Sequence, residues 1–288
     1  MDRRNCMQLM AGAGCGALGF PVCAGSSERL RIGLTAVILA DQVAFLSRCG
    51  RYLSERVGCE VSFVARESYQ SILELLASDQ IDVAWICGYP YVRDEANLSL
   101  FAVPLYQDKP EYQSYLIRAK ASKVPIKGWT DLRGRVLVYS DPLSNSGWLV
   151  AQAQLAKVHL RPRDLKRTFF AHGHRNVAEA VAARLADAGA IDGYVWETMR
   201  LQGMAAVAQT EVVWKSDFYG FPPLVTKKGS NHPKVPGLQA ALLTMHQDEV
   251  GRELLQALNL TGFTKGAPAL FDSIRRQALT IPGSGVVS

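Results

Sequence analysis

The order in which apolar runs of two different periods follow one another constrains this chain more than any other feature. Leu30-Arg-Ile-Gly-Leu34 reads as a strand, and a helix is predicted over about 39–57. Val61-Ser-Phe-Val64 is a second strand, and 69–78 is an amphipathic helix that turns Ile72, Leu73, Leu75 and Leu76 inward. Ile81-Asp-Val-Ala-Trp-Ile86 is apolar at nearly every place, as a strand covered on both faces is. Strand, helix, strand, helix, strand implies a parallel sheet wrapped by helices through right-handed crossovers.

A new register begins near Gln113. Strands are predicted at 114–118, 135–140 and 168–170, helices at 126–132, 148–158 and 176–188, and a strand with its turn at 189–195; Val212 to Ser216 closes the block. Beyond Phe221-Pro-Pro223 come a strand at 224–226 and helices near 233–246, 249–258 and 269–279. Two such blocks, with the chain passing out and back, give an α/β protein of two lobes, 25–113 plus 220–288 and 114–219. A cleft between lobes is a favoured place for a ligand.

Residues 1–24 differ from the rest. Arg3-Arg4 precede an uncharged, small and apolar run from Met7 to Phe20, and Val22-Cys23-Ala24 supplies a small-x-Ala ending. That pattern is a secretory signal cleaved after Ala24, so export is expected. No later apolar run approaches the roughly 18 residues a membrane span needs. The composition is 48% hydrophobic and 20% charged, and the net charge of +6 comes from 32 basic residues scattered among 26 acidic ones. Without a basic stripe or an aromatic ladder, nucleic acid is excluded as a partner. Beyond the leader the cysteines are Cys49, Cys59 and Cys87; none forms a CxxC pair and no histidine has zinc spacing, so neither metal nor cofactor is expected. In an oxidising compartment Cys49 and Cys59 can pair and leave Cys87 alone.

Val136-Leu-Val-Tyr-Ser-Asp-Pro-Leu-Ser-Asn-Ser-Gly147 joins a β-prone run to a helix through a turn of hydroxyl and amide side chains. Unpaired N–H groups and the positive end of the macrodipole make a helix start a seat for a small anion. The same residues also satisfy an ordinary N-cap, with Ser144 or Ser146 serving only the helix. From the segment alone both readings stand.

Several motifs in order resemble one family: Leu30-Arg-Ile-Gly-Leu-Thr35, Ser68-Tyr69, Asp82-Val-Ala-Trp-Ile-Cys-Gly-Tyr-Pro-Tyr-Val92, Asp141-Pro-Leu-Ser-Asn-Ser-Gly147, Phe170-Ala-His-Gly-His174 and Ala186-Asp-Ala-Gly-Ala-Ile-Asp192. Over nearly all of the chain past the leader they resemble the periplasmic solute-binding proteins of the phosphate, phosphonate and phosphite type, whose type II fold hinges two α/β lobes, each a mixed sheet flanked by helices, over a cleft. The resemblance implies a monomer that captures a small oxyanion in the periplasm for an ABC transporter permease. It implies that Ser144, Asn145, Ser146 and the Gly147 amide hold the anion, that Tyr69 donates its phenol from the other lobe, that His174 donates a ring N–H, and that Asp192 accepts from a protonated ligand group or an amine. Asn145 stands where relatives commonly carry a hydroxyl. Tyr69 also reads as a packing aromatic, Asp192 as a turn residue and Trp85 as core; of Tyr89 and Tyr91, which straddle Pro90, at most one lines the cleft.

Cys87 follows the third strand, where open α/β sheets bind ligands. It reads either as a small wall residue or as a soft ligand for arsenite, and one branch of the family resembles periplasmic arsenite sensors that signal to a membrane histidine kinase. Catalysis is not expected: no G-x-S-x-G elbow, HExxH or P-loop is present.

Overall fold

The computed structural model describes residues 29–35 and 42–286 of the chain, so the predicted leader lies outside the described residues. The first unit is β1 (Leu30–Thr35), α1 (Gln42–Val57), β2 (Val61–Arg66), α2 (Tyr69–Ala77) and β3 (Val83–Trp85), in the predicted order. Next come α3 (Gly88–Arg93), β4 (Leu98–Leu105), β5 (Glu111–Ala119), β6 (Val136–Tyr139) and α4 (Val150–Lys157). The chain continues through β7 (Arg167–Phe170), α5 (His174–Ala182), β8 (Ala188–Asp192), α6 (Gly193–Leu201), α7 (Ala205–Ala208) and β9 (Thr210–Gly220). It ends with β10 (Leu224–Lys227), α8 (Val235–Leu243), α9 (Glu249–Ala257), β11 (Gly262–Thr264) and α10 (Asp272–Leu279).

The strands form two sheets, ordered β11-β4-β10-β3-β1-β2 and β7-β6-β8-β5-β9. β1 pairs parallel with β2 and β3, while β10 and β4 add antiparallel neighbours. The sheet is therefore mixed where the leading residues alone implied a parallel one, because β10 returns from the far end of the chain to pair beside β3. In the second sheet β6 lies parallel to both β7 and β8, and β5 is antiparallel to β8 and β9. Leu30, Ile72, Ile81 and Val83 are sealed between β1, β3 and α2. At about 25 cal/mol per Å² of apolar surface, such side chains supply most of the stabilisation of this layer.

Local deviations from the sequence reading have local causes. The helix predicted from 176 starts at His174, after a turn in which His172 and Gly173 take positive φ values of 51° and 147°. Within the predicted strand and turn at 189–195, the strand stops at Asp192, whose carboxyl accepts the Val195 N–H and caps α6. Cys49 is a buried free thiol on α1, so no bond joins it to Cys59.

Candidate functional site

β3 and β6 each deliver their carboxyl end to a turn that enters a helix, and the two turns meet. After β6, Asp141 Oδ1 accepts the Leu143 N–H at 2.7 Å and tightens the corner. Ser144 is the N-cap: its Oγ accepts the Gly147 N–H at 2.9 Å. One π-helical turn, Asn145–Leu149, follows, with Leu149 N–H donating to the Ser144 carbonyl at 3.0 Å, and it runs into α4. The helical segment thus begins three residues before the predicted start at Trp148, and the wide turn sets the serine side chains against β6. The Gly147 N–H, which the resemblance implied as an anion donor, here donates to the Ser144 cap. Gly147 is there for close approach: a Cβ would collide with Ser140 Oγ and stand 2.7 Å from Ser140 Cβ.

Ser140, Ser144, Asn145 and Ser146 are essentially inaccessible to solvent, at 0–1% exposure. Ser140 Oγ, Asn145 Oδ1 and Ser146 Oγ nonetheless have no hydrogen-bond partner among the described residues. A buried polar group left unpaired costs roughly 1–3 kcal/mol, so three together are expensive unless a ligand completes them. The Asn145 amide has two ends of the same shape. With Nδ2 donating to the Tyr112 hydroxyl at 3.1 Å, Oδ1 is the orphan. Turned over, Oδ1 accepts from the Tyr112 O–H and Nδ2 becomes a free donor, which suits an anion.

The turn after β3 closes the opposite side. Cys87 is the N-residue of α3, and its Sγ accepts the Asn145 N–H at 3.2 Å and lies 3.8 Å from the Tyr112 hydroxyl. Tyr69, first in α2 behind the Ser68 cap, donates its backbone N–H to Asp141 Oδ2 at 3.4 Å. His174 is buried and His172 exposed, and both line a small pocket with Tyr69, Ser140 and Asp141. His174 Nδ1 accepts the Asp192 N–H at 3.1 Å. A neutral ring bonded this way carries its proton on Nε2.

Charge inside the cluster is set by burial. It holds the His174 imidazole neutral by bringing its pKa down to about 3. It pushes the Asp192 carboxyl up to about 7, although the Val195 and Tyr194 N–H groups partly restore the carboxylate. It also raises the Cys87 thiol, against the N–H donors of Asn145 and Tyr89, and holds the Tyr69 and Tyr112 phenols well above their ordinary range. The result is a dry set of neutral hydroxyl, amide and imidazole donors with one carboxyl that changes charge near neutrality. Such a set can bind an oxyanion that brings its own proton to the carboxyl. Among the described residues no group of histidine, cysteine and carboxylate side chains is placed to hold a metal ion.

Of the predicted site residues, Tyr69, Cys87, Ser144, Asn145, Ser146, His174 and Asp192 are brought to this region. Tyr89 is not: its phenol donates to the Ser284 carbonyl at 2.7 Å, and its ring stacks on Trp148 at 5.9 Å. Tyr91 donates instead to Glu95. Tyr112 supplies the phenol that neither of them does, and sequence reasoning missed it together with Ser140 and Asp141. The usable signal was period 2 in β5, which puts Tyr112 and Ser114 on one face; Ser114 Oγ in fact donates to the Ser146 carbonyl at 2.7 Å. Trp85, read as core, is only partly buried and lines a cavity beside Tyr69 and Asp192.

The model of the periplasmic substrate-binding proteins of ABC phosphonate transporters matches residues 39–271. The chain belongs to this family. It is 32% identical over 181 residues to the phosphate-import protein PhnD of Mycolicibacterium smegmatis, a match over 58% of this chain and 56% of that one. The chain thus spans little more than half the length of that curated relative. Among solved structures it is similar to a binding-protein component of an ABC phosphonate transporter from Pseudomonas aeruginosa, at 22% identity and a TM-score of 0.80 over 88% of this chain and 86% of that one. It is also similar to PhnD1 of Prochlorococcus marinus in complex with methylphosphonate, at 18% identity and a TM-score of 0.77 over 88% and 98%. These likenesses carry the two-lobed α/β fold.

Proposed function

We propose that this protein is the periplasmic capture component of an ABC transporter and binds a phosphorus oxyanion (phosphate, phosphonate or phosphite) between its lobes. The observation that carries this reading is the trio of buried side-chain atoms on Ser140, Asn145 and Ser146, unpartnered among the described residues, at the mouth of a helical segment beside Tyr112 and Cys87. The hydroxyls of Ser140, Ser144 and Ser146, the Asn145 amide and the Tyr69 phenol donate to the anion's oxygens, and His174 donates through Nε2. Such charge-assisted bonds are about twice as strong as neutral ones. Asp192 accepts from a P–OH, so the ligand is held as the species that keeps one proton.

Capture proceeds by closure of a lobe of 25–113 plus 220–288 on a lobe of 114–219. The contacts that join the two sides support it: Asn145 to Cys87, Tyr69 to Asp141, Asn259 Nδ2 to Thr198 Oγ1 at 3.0 Å, and the Tyr89–Trp148 stack. The ligand adds bonds to both sides and shifts the population toward the closed form, which a membrane permease reads. The chain acts as an exported monomer and leaves its ligand chemically unchanged. An arsenite-sensing role is not favoured. The family consists of transporter components, and Cys87 is a buried, protonated thiol already engaged by the Asn145 N–H, whereas arsenite needs a thiolate.

Calorimetric titration of the full chain with phosphate, phosphite and methylphosphonate tests the reading. Saturable binding to at least one is expected, with the anion recovered intact. Heat from arsenite alone, abolished by Cys87→Ser, would replace transport by sensing.

A further inference from the structure

Positive charge is concentrated at the end of the second sheet that lies away from the oxyanion seat. β6 runs parallel to both of its neighbours, so Val136, Arg167 and Ala188 begin their strands along one edge, while Asp141 and Asp192 lie at the other end. Lys166 and Arg167 enter β7, Arg184 leads toward β8, and all three are exposed. Arg161 and Arg163 add two more exposed cations in the turn before β7.

The acids at this edge are already engaged. Asp187 Oδ2 accepts the Val136 N–H at 2.8 Å. Asp164 Oδ2 accepts the Arg161 N–H at 2.7 Å, and its other oxygen pairs with Arg133. Among the described residues no carboxylate pairs with Lys166, Arg167 or Arg184. Arg135, whose carbonyl accepts the Lys166 N–H at 2.9 Å, adds an Nε that is buried without a partner among the described residues. Arg184 follows the carboxyl end of α5, where a cation also complements the helix dipole. Lys166 and Arg167 open a strand and have no such role.

Two further features select the partner. Lys166, Arg167 and Arg184 line an open recess of about 460 Å³, which has room for a phosphate-bearing headgroup. Leu185 lines the same recess and is 62% exposed. An exposed leucine among cations suits the boundary of an anionic bilayer, where phosphates meet the cations and the acyl region takes the apolar side chain. An acidic protein patch would set carboxylates against that leucine instead.

We propose that this end of the 114–219 lobe docks on an anionic phospholipid bilayer, with headgroup phosphates on Lys166, Arg167 and Arg184 and with Leu185 in the interface. The inference does not rest on the oxyanion seat, which lies at the opposite end of the same strands.

Co-sedimentation of the full chain with vesicles of phosphatidylglycerol in phosphatidylcholine, against phosphatidylcholine alone, tests it. Parent and variants share residues 1–24, so the contribution of that segment is common to all of them. One cation near an anionic surface is worth roughly fivefold in affinity. Lys166→Gln with Arg167→Gln and Arg184→Gln should therefore weaken binding to the anionic vesicles at least tenfold. Lys228→Gln with Lys265→Gln and Arg276→Gln removes the same charge from exposed positions of the other lobe, and should leave binding within about threefold of the parent. All six side chains are exposed, and an unchanged melting temperature shows that both variants are folded. Equal losses in the two triple variants would make net charge the cause and overturn the docking surface, as would no loss in the first. Added salt should release the parent, since screening acts within about 10 Å at 0.1 M; binding indifferent to salt and to phosphatidylglycerol overturns the proposal. Leu185→Ser should weaken binding at least threefold through lost apolar burial. Unchanged binding in that variant overturns the bilayer as partner and leaves an acidic protein surface in its place.

Discussion

The turns that follow β3 and β6 occupy equivalent places in the two sheets and have opposite chemistry. Each leaves the carboxyl end of a central parallel strand and enters a helix behind an N-cap, Cys87 in one and Ser144 in the other. After β6 the side chains are hydroxyls and an amide, three of them buried without a partner among the described residues. After β3 they are a thiol, two tyrosines and a proline, and every phenol there has found an acceptor within its own lobe. One turn is held in a ligand-ready and costly state, while the other is a satisfied wall that positions it through the Asn145 N–H to Cys87 bond. The topological site at a strand's carboxyl end permits binding, and the residue types on it decide which turn does so.

The largest effect is expected at Asp192, at the end of β8 beside these turns. Asp192 has its carboxyl raised from 3.8 to about 7 by burial. A raised carboxyl pKa means that, between these values, the unfolded chain has released a proton that the folded one keeps, so stability falls as pH rises from about 4 to about 7 and levels off above. Asp192→Asn keeps a good N-cap and removes this term. The variant should unfold at higher denaturant than the parent at pH 7.5, by up to about 4 kcal/mol at 1.36 kcal/mol per pKa unit, and should match it near pH 4. A constant difference across that range would remove Asp192 as the titrating group.

Ser144→Ala combined with Ser146→Ala should weaken anion binding roughly hundredfold, as the loss of two charge-assisted bonds predicts. Calorimetry showing unchanged affinity would move the seat elsewhere. Gly147→Ala should cost about 1–3 kcal/mol in chemical denaturation through overpacking against Ser140, and weaken binding as well; a neutral outcome would mean that this close approach does not define the turn. The smallest effect belongs to the wall. Cys87→Ser retains an acceptor for the Asn145 N–H and should change anion affinity by less than about tenfold, whereas a change as large as that of the serine pair would erase the distinction between the two turns.

Much of the fold was legible because it rests on periodicity. The run of alternating strands and helices from Leu30 to Trp85 and from Val136 to Asp192 appears in the structure in the predicted order. β4 and β11 were not predicted. β4 mixes both faces into one apolar run, and β11 is three residues long, too short to carry a period. The hydroxyl loop was legible because helix starts have a chemical signature, and Cys87 because it ends a buried strand. Tyr112 and Ser140 were not, since each is an ordinary residue of a strand until another segment arrives beside it.

By itself the sequence determined the two α/β blocks, the turn chemistry at their strand ends and the residue types available to an anion, all of which follow from local spacing and propensity. Only the tertiary structure decided which of those groups go unpartnered. Whether Gly147 N–H is free or capped, whether Tyr89 or Tyr112 reaches the cluster, and whether Asp192 carries its charge depend on distances between segments up to 195 residues apart, and on burial that no local pattern encodes. The cavity of Trp85, Phe221 and Leu258 belongs to the same class. It is made by three distant stretches of chain that share no motif, and hydrophobic burial is blind to sequence order.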